Sequence, residues 1–245
     1  QIDWADLVDR TPFLRKKASW ASAKEIVLSC SHQFKTDLWK TQDYRPEVWV
    51  EKDALVGVLE KVCNENDVPY FSCRGYVSQS EMWAASQRIL EHIDDGKKAV
   101  IFHLGDHDPS GVDMTRDIYD RLMTFLIYHY IDDEHMGTHA DPYSAEDKGY
   151  AREQLESCFE VKRIALTYEQ ILEFKPPPNP VKKTDSRWKK YVKQTGCQES
   201  WELDALSPAT LAELIQDEID QIRSPSVWNA ALEEQQSDKN LLQSM

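Results

Sequence analysis

Two aspartates lie one residue apart at the end of an apolar run. Residues 99–104 read Ala-Val-Ile-Phe-His-Leu and predict a buried strand, which Gly105 ends before Asp106 and Asp108. In open α/β sheets, ligands bind at the carboxyl ends of the strands. Two carboxylates there can supply oxygen ligands to one hard cation, and Mg²⁺ is the expected ion, with Mn²⁺ as a substitute. An Asx turn that holds two aspartates explains the same residues without a metal.

A calcium loop is a competing interpretation of the same stretch. Asp106, Asp108, Ser110 and Gly111, with Asp117 at the twelfth position, resemble the beginning of an EF-hand loop. Such a loop follows a helix and usually ends in a bidentate glutamate. Here a predicted strand precedes the loop and an aspartate ends it, so the residues favour the magnesium interpretation over the calcium one.

Alternating strands and helices must position these acids. The patterns predict four strands, at residues 47–51, 68–73, 99–104 and 159–166. Helices are predicted between and after them, at residues 52–64, 78–93, 112–130, 144–157, 168–174 and 208–222, with residues 109–111 as a turn. This alternation predicts an α/β fold with a mostly parallel central sheet, right-handed crossovers and helices on both faces.

Composition limits the classes of protein. The chain has 245 residues, 41% hydrophobic residues and a net charge of −14. That charge argues against coating a polyanion with the whole surface, but it permits a local basic face or a metal bridge to phosphate. No run of about 18 apolar residues occurs, so we expect no membrane-spanning segment. Five scattered cysteines without a CxxC pair predict neither a zinc site nor a disulfide framework, and a reducing cytoplasm is the expected compartment.

The chain divides into three predicted parts. Residues 1–46 mix tryptophans with basic residues and are expected to form a helical arm or linker, with Ser22 as a helix N-cap. Residues 47–172 form the predicted metal-binding core. Residues 173–245 contain a proline-rich connection, a basic segment and C-terminal helices. We interpret the arm as packing on the core, with nucleic-acid contact as the alternative.

The basic segment is a candidate nucleic-acid contact. Its positive side chains are interleaved with Trp188 and Tyr191 and include Lys182, Lys183, Arg187, Lys189 and Lys190. Basic residues beside aromatic ones suit phosphate contact combined with base stacking. A solvated helix face explains the same run of charge equally well. If the segment binds nucleic acid, we expect it on the same side of the molecule as the acids.

Glu51 closes the first predicted strand as Asp106 follows the third, and several motifs around them resemble one family. Three carboxylates converging at one sheet edge are the pattern of the Toprim fold, the metal-binding module of topoisomerases, primases and related nucleases. The likeness is closest to the Toprim half of the topoisomerase VI A subunit and of its meiotic double-strand-break relatives. It runs in order from residue 47 to residue 222 and depends on five motifs: Val50–Leu55, Arg74–Tyr76, Asp106–Gly111, Leu166–Ile171 and Glu202–Leu206.

The resemblance implies Mg²⁺-dependent phosphodiester chemistry on nucleic acid. In it Glu51, Asp106 and Asp108 are the metal ligands and catalytic residues, close enough together for one or two hydrated ions to bridge. The ion neutralises phosphate charge, and Glu51 is a weaker candidate for moving a proton at the leaving oxygen. Arg74 and the basic segment are the implied phosphate contacts. DNA is the expected partner, with RNA as an alternative, and a homodimer is a further expectation.

The family's nucleophile has no recognised counterpart in this sequence. Its members carry a winged-helix domain before the Toprim module, and a tyrosine of that domain attacks the DNA backbone. Only 46 residues precede Glu47, which we expect to be too few for that domain, so we expect an upstream domain or a partner subunit to supply the tyrosine. Two alternatives stay open: a non-enzymatic nucleic-acid or protein interaction module with a structural metal, and an RNA-processing Toprim nuclease.

Overall fold

The computed structural model describes residues 19–133, 143–180 and 185–244. The chain forms two compact units, one from residues 1–36 with 232–245 and one from residues 37–231. Within the described residues, no helix is both long enough and apolar enough to cross a bilayer.

The smaller unit contains helix α1, Ala23–Gln33, and the end of the last helix of the chain. Ser22 caps α1 as predicted, because its hydroxyl accepts a hydrogen bond from the Glu25 N–H. The Thr36 N–H donates to the Gln235 side-chain carbonyl at 2.8 Å. This bond ties the segment after α1 to the C-terminal helix.

The larger unit is built on a four-stranded sheet in which all strands run parallel. The strands are β1, Tyr44–Val50; β2, Tyr70–Ser72; β3, Lys98–Leu104; and β4, Phe159–Ala165. Their spatial order is β2-β1-β3-β4, so β1 and β3 are central and the other two are edges. The predicted α/β fold with a parallel sheet is confirmed.

Helices connect the strands and follow them. They are α2, Val56–Glu65; α3, Gln79–Asp94; α4, Pro109–Asp133; α5, Ala145–Glu156; α6, Tyr168–Phe174; α7, Trp188–Thr195; α8, Pro208–Ile222; and α9, Pro225–Ser244. Two short 3-10 helices, Asp53–Leu55 and Leu203–Ala205, follow β1 and precede α8. Strands β5, Asn179–Pro180, and β6, Glu199–Ser200, form a separate antiparallel pair.

Both faces of the sheet are covered because side chains alternate along each strand. On β3, Val100, Phe102 and Leu104 join a core with α2 and α8. Ala99 and Ile101 join a second core with α3, α4 and α5 on the opposite face. The sheet is therefore the middle layer of three, as predicted.

Helix α4 begins at Pro109, three residues before the predicted start. The Asp108 carboxylate accepts hydrogen bonds from the Gly111 N–H at 2.6 Å and from the Ser110 hydroxyl at 2.8 Å. Such an N-cap stabilises the first turn, and proline is favoured at the first helical position because it lacks an N–H. The predicted turn at residues 109–111 is wrong, and a twelve-residue calcium loop is excluded because residues 109–117 are helical.

The larger unit also extends beyond the predicted core of residues 47–172. Strand β1 begins at Tyr44, and α8 lies wholly after the predicted boundary. The α8 side chains Leu211, Ile215 and Ile219 are completely buried. A sheet face must be covered to exclude water, and α8 covers part of it alongside α2.

We predict that replacing Ile215 by alanine lowers the free energy of unfolding by about 2 to 5 kcal/mol, because it leaves a cavity in the core under the sheet. Urea denaturation followed by circular dichroism measures this change. Leu172→Ala is the control, since Leu172 is 59% exposed on α6. Equal effects of the two substitutions would show that α8 does not contribute to this core.

Candidate metal centre

Acids follow the carboxyl ends of the two central strands, which lie side by side at the same end of the sheet. Val50 at the end of β1 pairs with Leu104 at the end of β3. The Glu51 N–H donates to the Leu104 carbonyl at 2.9 Å. The Asp106 N–H in turn donates to Glu51 Oε2 at 3.0 Å. The Glu51 carboxylate therefore lies directly against the backbone that carries Asp106.

Gly111 allows the first turn of α4 to approach these acids. A Cβ atom at this position would lie 2.2 Å from the Asp106 carbonyl oxygen and 2.9 Å from Glu51 Oε2. No side chain fits there without moving the backbone. The Gly111 N–H also donates to the Asp108 carboxylate, so this glycine borders the carboxylates of Glu51 and Asp108 and the backbone carbonyl of Asp106.

Arg163 of β4 is a central residue that the sequence analysis missed. Its guanidinium donates to the carbonyl oxygens of Gly105 at 2.8 Å, Asp106 at 2.6 Å and Gly111 at 2.8 Å. It also donates to the Thr115 hydroxyl at 3.1 Å. These bonds join the end of β3 to the first turn of α4. Strand β4 reads Phe-Glu-Val-Lys-Arg-Ile-Ala, so Arg163 is one of three charged residues there and no sequence pattern distinguished it from the other two.

The electrostatics of the site follow from burial and from charge density. The pKa of Glu51 is raised to about 7: burial is the largest cause and the charges of Asp106 and Asp108 add to it, while the Asp106 N–H and Arg163 oppose it. Burial also lowers the pKa of Arg163 to about 10, so this residue is still a cation at neutral pH. Burial likewise raises the pKa of Asp106. Ionising the acids is costly, and a divalent cation would relieve this cost.

Lys52 supplies a second positive charge. Its ammonium forms an ion pair with Glu202 and lies 3.3 Å from Asp106 Oδ1 and 3.3 Å from Asp204 Oδ1. Glu202 and Asp204 belong to the segment that carries the second 3-10 helix. Two cations, Arg163 and Lys52, thus meet five carboxylates, so three negative charges are uncompensated when all five acids are ionised.

The donor set suits a hard divalent ion, although the acids are engaged within the protein. Among the described residues, no three His, Cys, Asp or Glu side chains already form a metal-ligand set. Glu51 and Asp108 accept hydrogen bonds from the chain, and Asp106 Oδ1 accepts one from the Leu203 N–H at 2.7 Å. A bound Mg²⁺ would take oxygen ligands that these donors now occupy.

A cleft of about 340 Å³ opens beside Asp108. Its walls come from the start of α4, from the β5–β6 pair and from the segments that flank it. The lining residues are Asp108, Pro109, Ser110, Asn179, Pro180, Asp185, Ser200 and Glu202. This volume lies at the lower end of the range for small-molecule sites. Within the described part of the chain, the charged residues that line the cleft are all acids.

The predicted phosphate contacts are spread over the surface. Arg74 is 73% exposed and pairs with Asp53 at 3.1 Å. Lys189 is exposed on α7. Lys182 and Lys183 lie outside the described residues. Among the described basic positions, the side chains of Arg74 and Lys189 are therefore accessible to a ligand.

Arg187 and Lys190 have acidic partners. Arg187 pairs with Asp185 at 3.0 Å and bonds the Tyr76 hydroxyl, while its guanidinium lies 5.4 Å from the centre of the Tyr76 ring. Lys190 lies 3.3 Å from Asp113 near the start of α4. Because Asp185 also lines the cleft, the described part of the basic segment begins beside the acidic site. Its positive charge is partly neutralised there.

His107 lies between Asp106 and Asp108 and contacts both Tyr191 of α7 and Trp201. Its backbone exchanges two hydrogen bonds with Trp201, at 2.8 and 3.1 Å. Its ring Nδ1 lies 2.9 Å from the Tyr191 hydroxyl of α7. Burial and the Arg163 charge lower the pKa of His107 to about 4, so the ring is neutral at pH 7. These partners are far apart in sequence, and no local pattern indicated them.

Comparison with known proteins does not assign this chain to a family. No match to the chain was found among protein-family models, curated proteins or solved structures. The function is therefore inferred from the residues and their geometry.

We predict that Glu51→Gln stabilises the metal-free protein at pH 8 by on the order of 1 to 3 kcal/mol. Protonated Glu51 contributes stability that is fully present below the ordinary pKa of 4.5 and is lost as the pH rises through about 7. The glutamine variant avoids this loss, so its advantage should disappear near pH 4.5. Urea denaturation in EDTA at both pH values measures it.

Glu153→Gln is the matched control, because Glu153 is exposed on α5. Its stability relative to the unsubstituted chain should change little between the two pH values. A Glu51→Gln protein that is less stable at pH 8 would contradict a destabilising Glu51 charge.

Proposed function

We propose that this chain carries a Toprim-like module for Mg²⁺-dependent phosphodiester chemistry on nucleic acid. The observation that carries the proposal is the meeting of Glu51, Asp106 and Asp108 around Gly111, at the carboxyl ends of two neighbouring parallel strands. Ligand sites of open α/β sheets occur at such edges. The excess of negative charge there supports a cation as the first ligand.

Each residue has a defined part in this proposal. Glu51, Asp106 and Asp108 would hold the Mg²⁺, which supplies neutralisation of phosphate charge when it is bound. Arg163 holds the backbone beneath the acids in place through its bonds to carbonyl oxygens. The pKa of Glu51 is about 7 without a metal. A bound Mg²⁺ would lower this pKa, so Glu51 would exchange a proton with a leaving oxygen only where it does not ligate the ion.

Two tyrosines around the site, Tyr191 and Tyr76, are poor nucleophiles. The Tyr191 hydroxyl donates to the Glu199 carbonyl at 2.8 Å, and burial raises its pKa. The Tyr76 hydroxyl donates to Asp113 at 3.1 Å, and burial followed by the Asp113 charge raises its pKa. An attacking tyrosine must be deprotonated as it reacts, and both environments oppose this. Water or a tyrosine from another domain is therefore the proposed nucleophile.

A non-enzymatic interaction module is the second candidate. It is supported by the hydrogen bonds that each of the three acids already accepts from the chain. In that case Mg²⁺ is a structural ion and raises the melting temperature without nucleic acid. In the catalytic case Mg²⁺ binds weakly alone and more tightly when DNA is present.

We predict that the chain nicks supercoiled plasmid slowly with Mg²⁺ or Mn²⁺, and that Asp108→Asn lowers the rate by roughly 100-fold or more through loss of a metal ligand. Agarose gels measure the nicked fraction, and a parallel assay on RNA separates the two nucleic-acid classes. After denaturation, no protein should be linked covalently to DNA.

Asp95→Asn is the control, since Asp95 is exposed. It follows α3 and precedes the beginning of β3, at the end of the strand opposite to the acids. It should retain the full rate. Metal-dependent nicking that survives Asp108→Asn would contradict the assigned centre. A covalent adduct that disappears on mutation of one tyrosine of this chain would show that this tyrosine, and not water, is the nucleophile.

We predict that Lys189→Glu weakens DNA binding and flattens its dependence on salt, with the slope of log K against log salt falling by about 1 or more. The physical reason is the loss of a phosphate contact on α7. Fluorescence anisotropy over a salt series with Mg²⁺ measures the slope. Lys61→Glu is the control, because Lys61 is 81% exposed on α2. Identical slopes for both variants would indicate that Lys189 does not contact phosphate and lies on a solvated face of α7.

A further inference from the structure

The ammonium of Lys52 occupies a position among three carboxylates. Lys52 directly follows Glu51 at the end of β1, and its Nζ lies 3.3 Å from Asp106 Oδ1 and 3.3 Å from Asp204 Oδ1. Nζ also donates a hydrogen bond to Glu202. The Lys52 side chain is only 23% exposed, so water screens these pairs less than it would on an open surface.

The surroundings keep this ammonium charged. Burial lowers the pKa of Lys52, but the Glu202 hydrogen bond and the Asp106 and Asp204 charges outweigh burial and raise the pKa above its usual range. The carboxylates therefore hold a permanent cation at neutral pH. One of them, Asp106, also belongs to the candidate metal centre.

We propose that the Lys52 ammonium takes the place of a second divalent cation, so that the centre binds a single metal ion. Two-metal sites place their ions about 3.5 to 4 Å apart and share ligands between them. Here Asp106 is the shared ligand, and its Oδ1 already faces the ammonium and the Leu203 N–H. The inference rests on the proposed metal centre and adds its stoichiometry.

Removing the Lys52 ammonium has different results in two cases: if it is a tethered cation, that is, a side-chain charge in the place of a metal ion, and if it only forms structural ion pairs. A structural pair leaves uncompensated carboxylates and a less stable protein. A tethered cation leaves an additional site, built from Asp106, Glu202 and Asp204, that a divalent ion fills. Counting bound ions separates these outcomes, whereas stability alone does not.

The experiment counts Mn²⁺ ions bound at saturation by electron paramagnetic resonance of the free ion. The unsubstituted chain should bind one ion. Lys52→Met keeps the length of the side chain without its charge and should bind two. Lys52→Arg keeps the charge and should bind one. Combining Lys52→Met with Glu202→Gln and Asp204→Asn removes the additional ligands and should return the count to one.

The outcomes distinguish this inference from the proposed function. An unsubstituted chain that binds no Mn²⁺ contradicts the metal centre itself. A count of two for the unsubstituted chain, or of one for folded Lys52→Met, overturns the inference and leaves the metal centre intact. Circular dichroism checks folding, and Lys52→Gln replaces the methionine variant if that variant does not fold. A count of two for the unsubstituted chain overturns the inference even if both variants fail to fold.

Discussion

The hydrogen bonds from the Arg163 guanidinium to backbone carbonyl oxygens hold the site together. They connect the end of β3, at Gly105 and Asp106, with the first turn of α4 at Gly111. A guanidinium has several donors in a fixed plane, so one side chain can satisfy several buried acceptors that would otherwise be unpaired. Its positive charge also offsets part of the charge of Glu51. The geometry and the charge balance of the acids therefore depend on the same residue.

The site is maintained at a cost in stability. Three acids around a single glycine repel one another, and burial adds to the penalty of ionising Glu51 and Asp106. The protein offsets this with Arg163 on one side and Lys52 on the other, rather than by spreading the acids apart. Such concentrations of unfavourable charge are typical of functional sites, where affinity for a ligand is gained in exchange for stability.

The features of this molecule that its sequence predicts are those set by residues close together in the chain. The four strands of the main sheet and the cap at Ser22 follow from periodicity and neighbouring residues, so they were predicted closely. The start of α4 was missed because Pro-Ser-Gly is typical of turns, whereas the Asp108 cap turns the same residues into a helix. Lys52 and Glu202 are separated by 150 positions, and only the folded chain brings them together. Arg163 contacts backbone atoms, which leave no trace in residue types.

The shortness of β2 has a consequence for how this protein behaves among its own copies. β2 is an edge strand of three residues, Tyr70–Ser72, so it offers few unpaired N–H and C=O groups to another strand. Long exposed edges promote aggregation by pairing between molecules. The other edge, β4, carries Lys162 in an ion pair with Glu218 of α8, which places charge along that side. A parallel sheet whose core strands are strongly apolar is thereby protected against growing into a fibre.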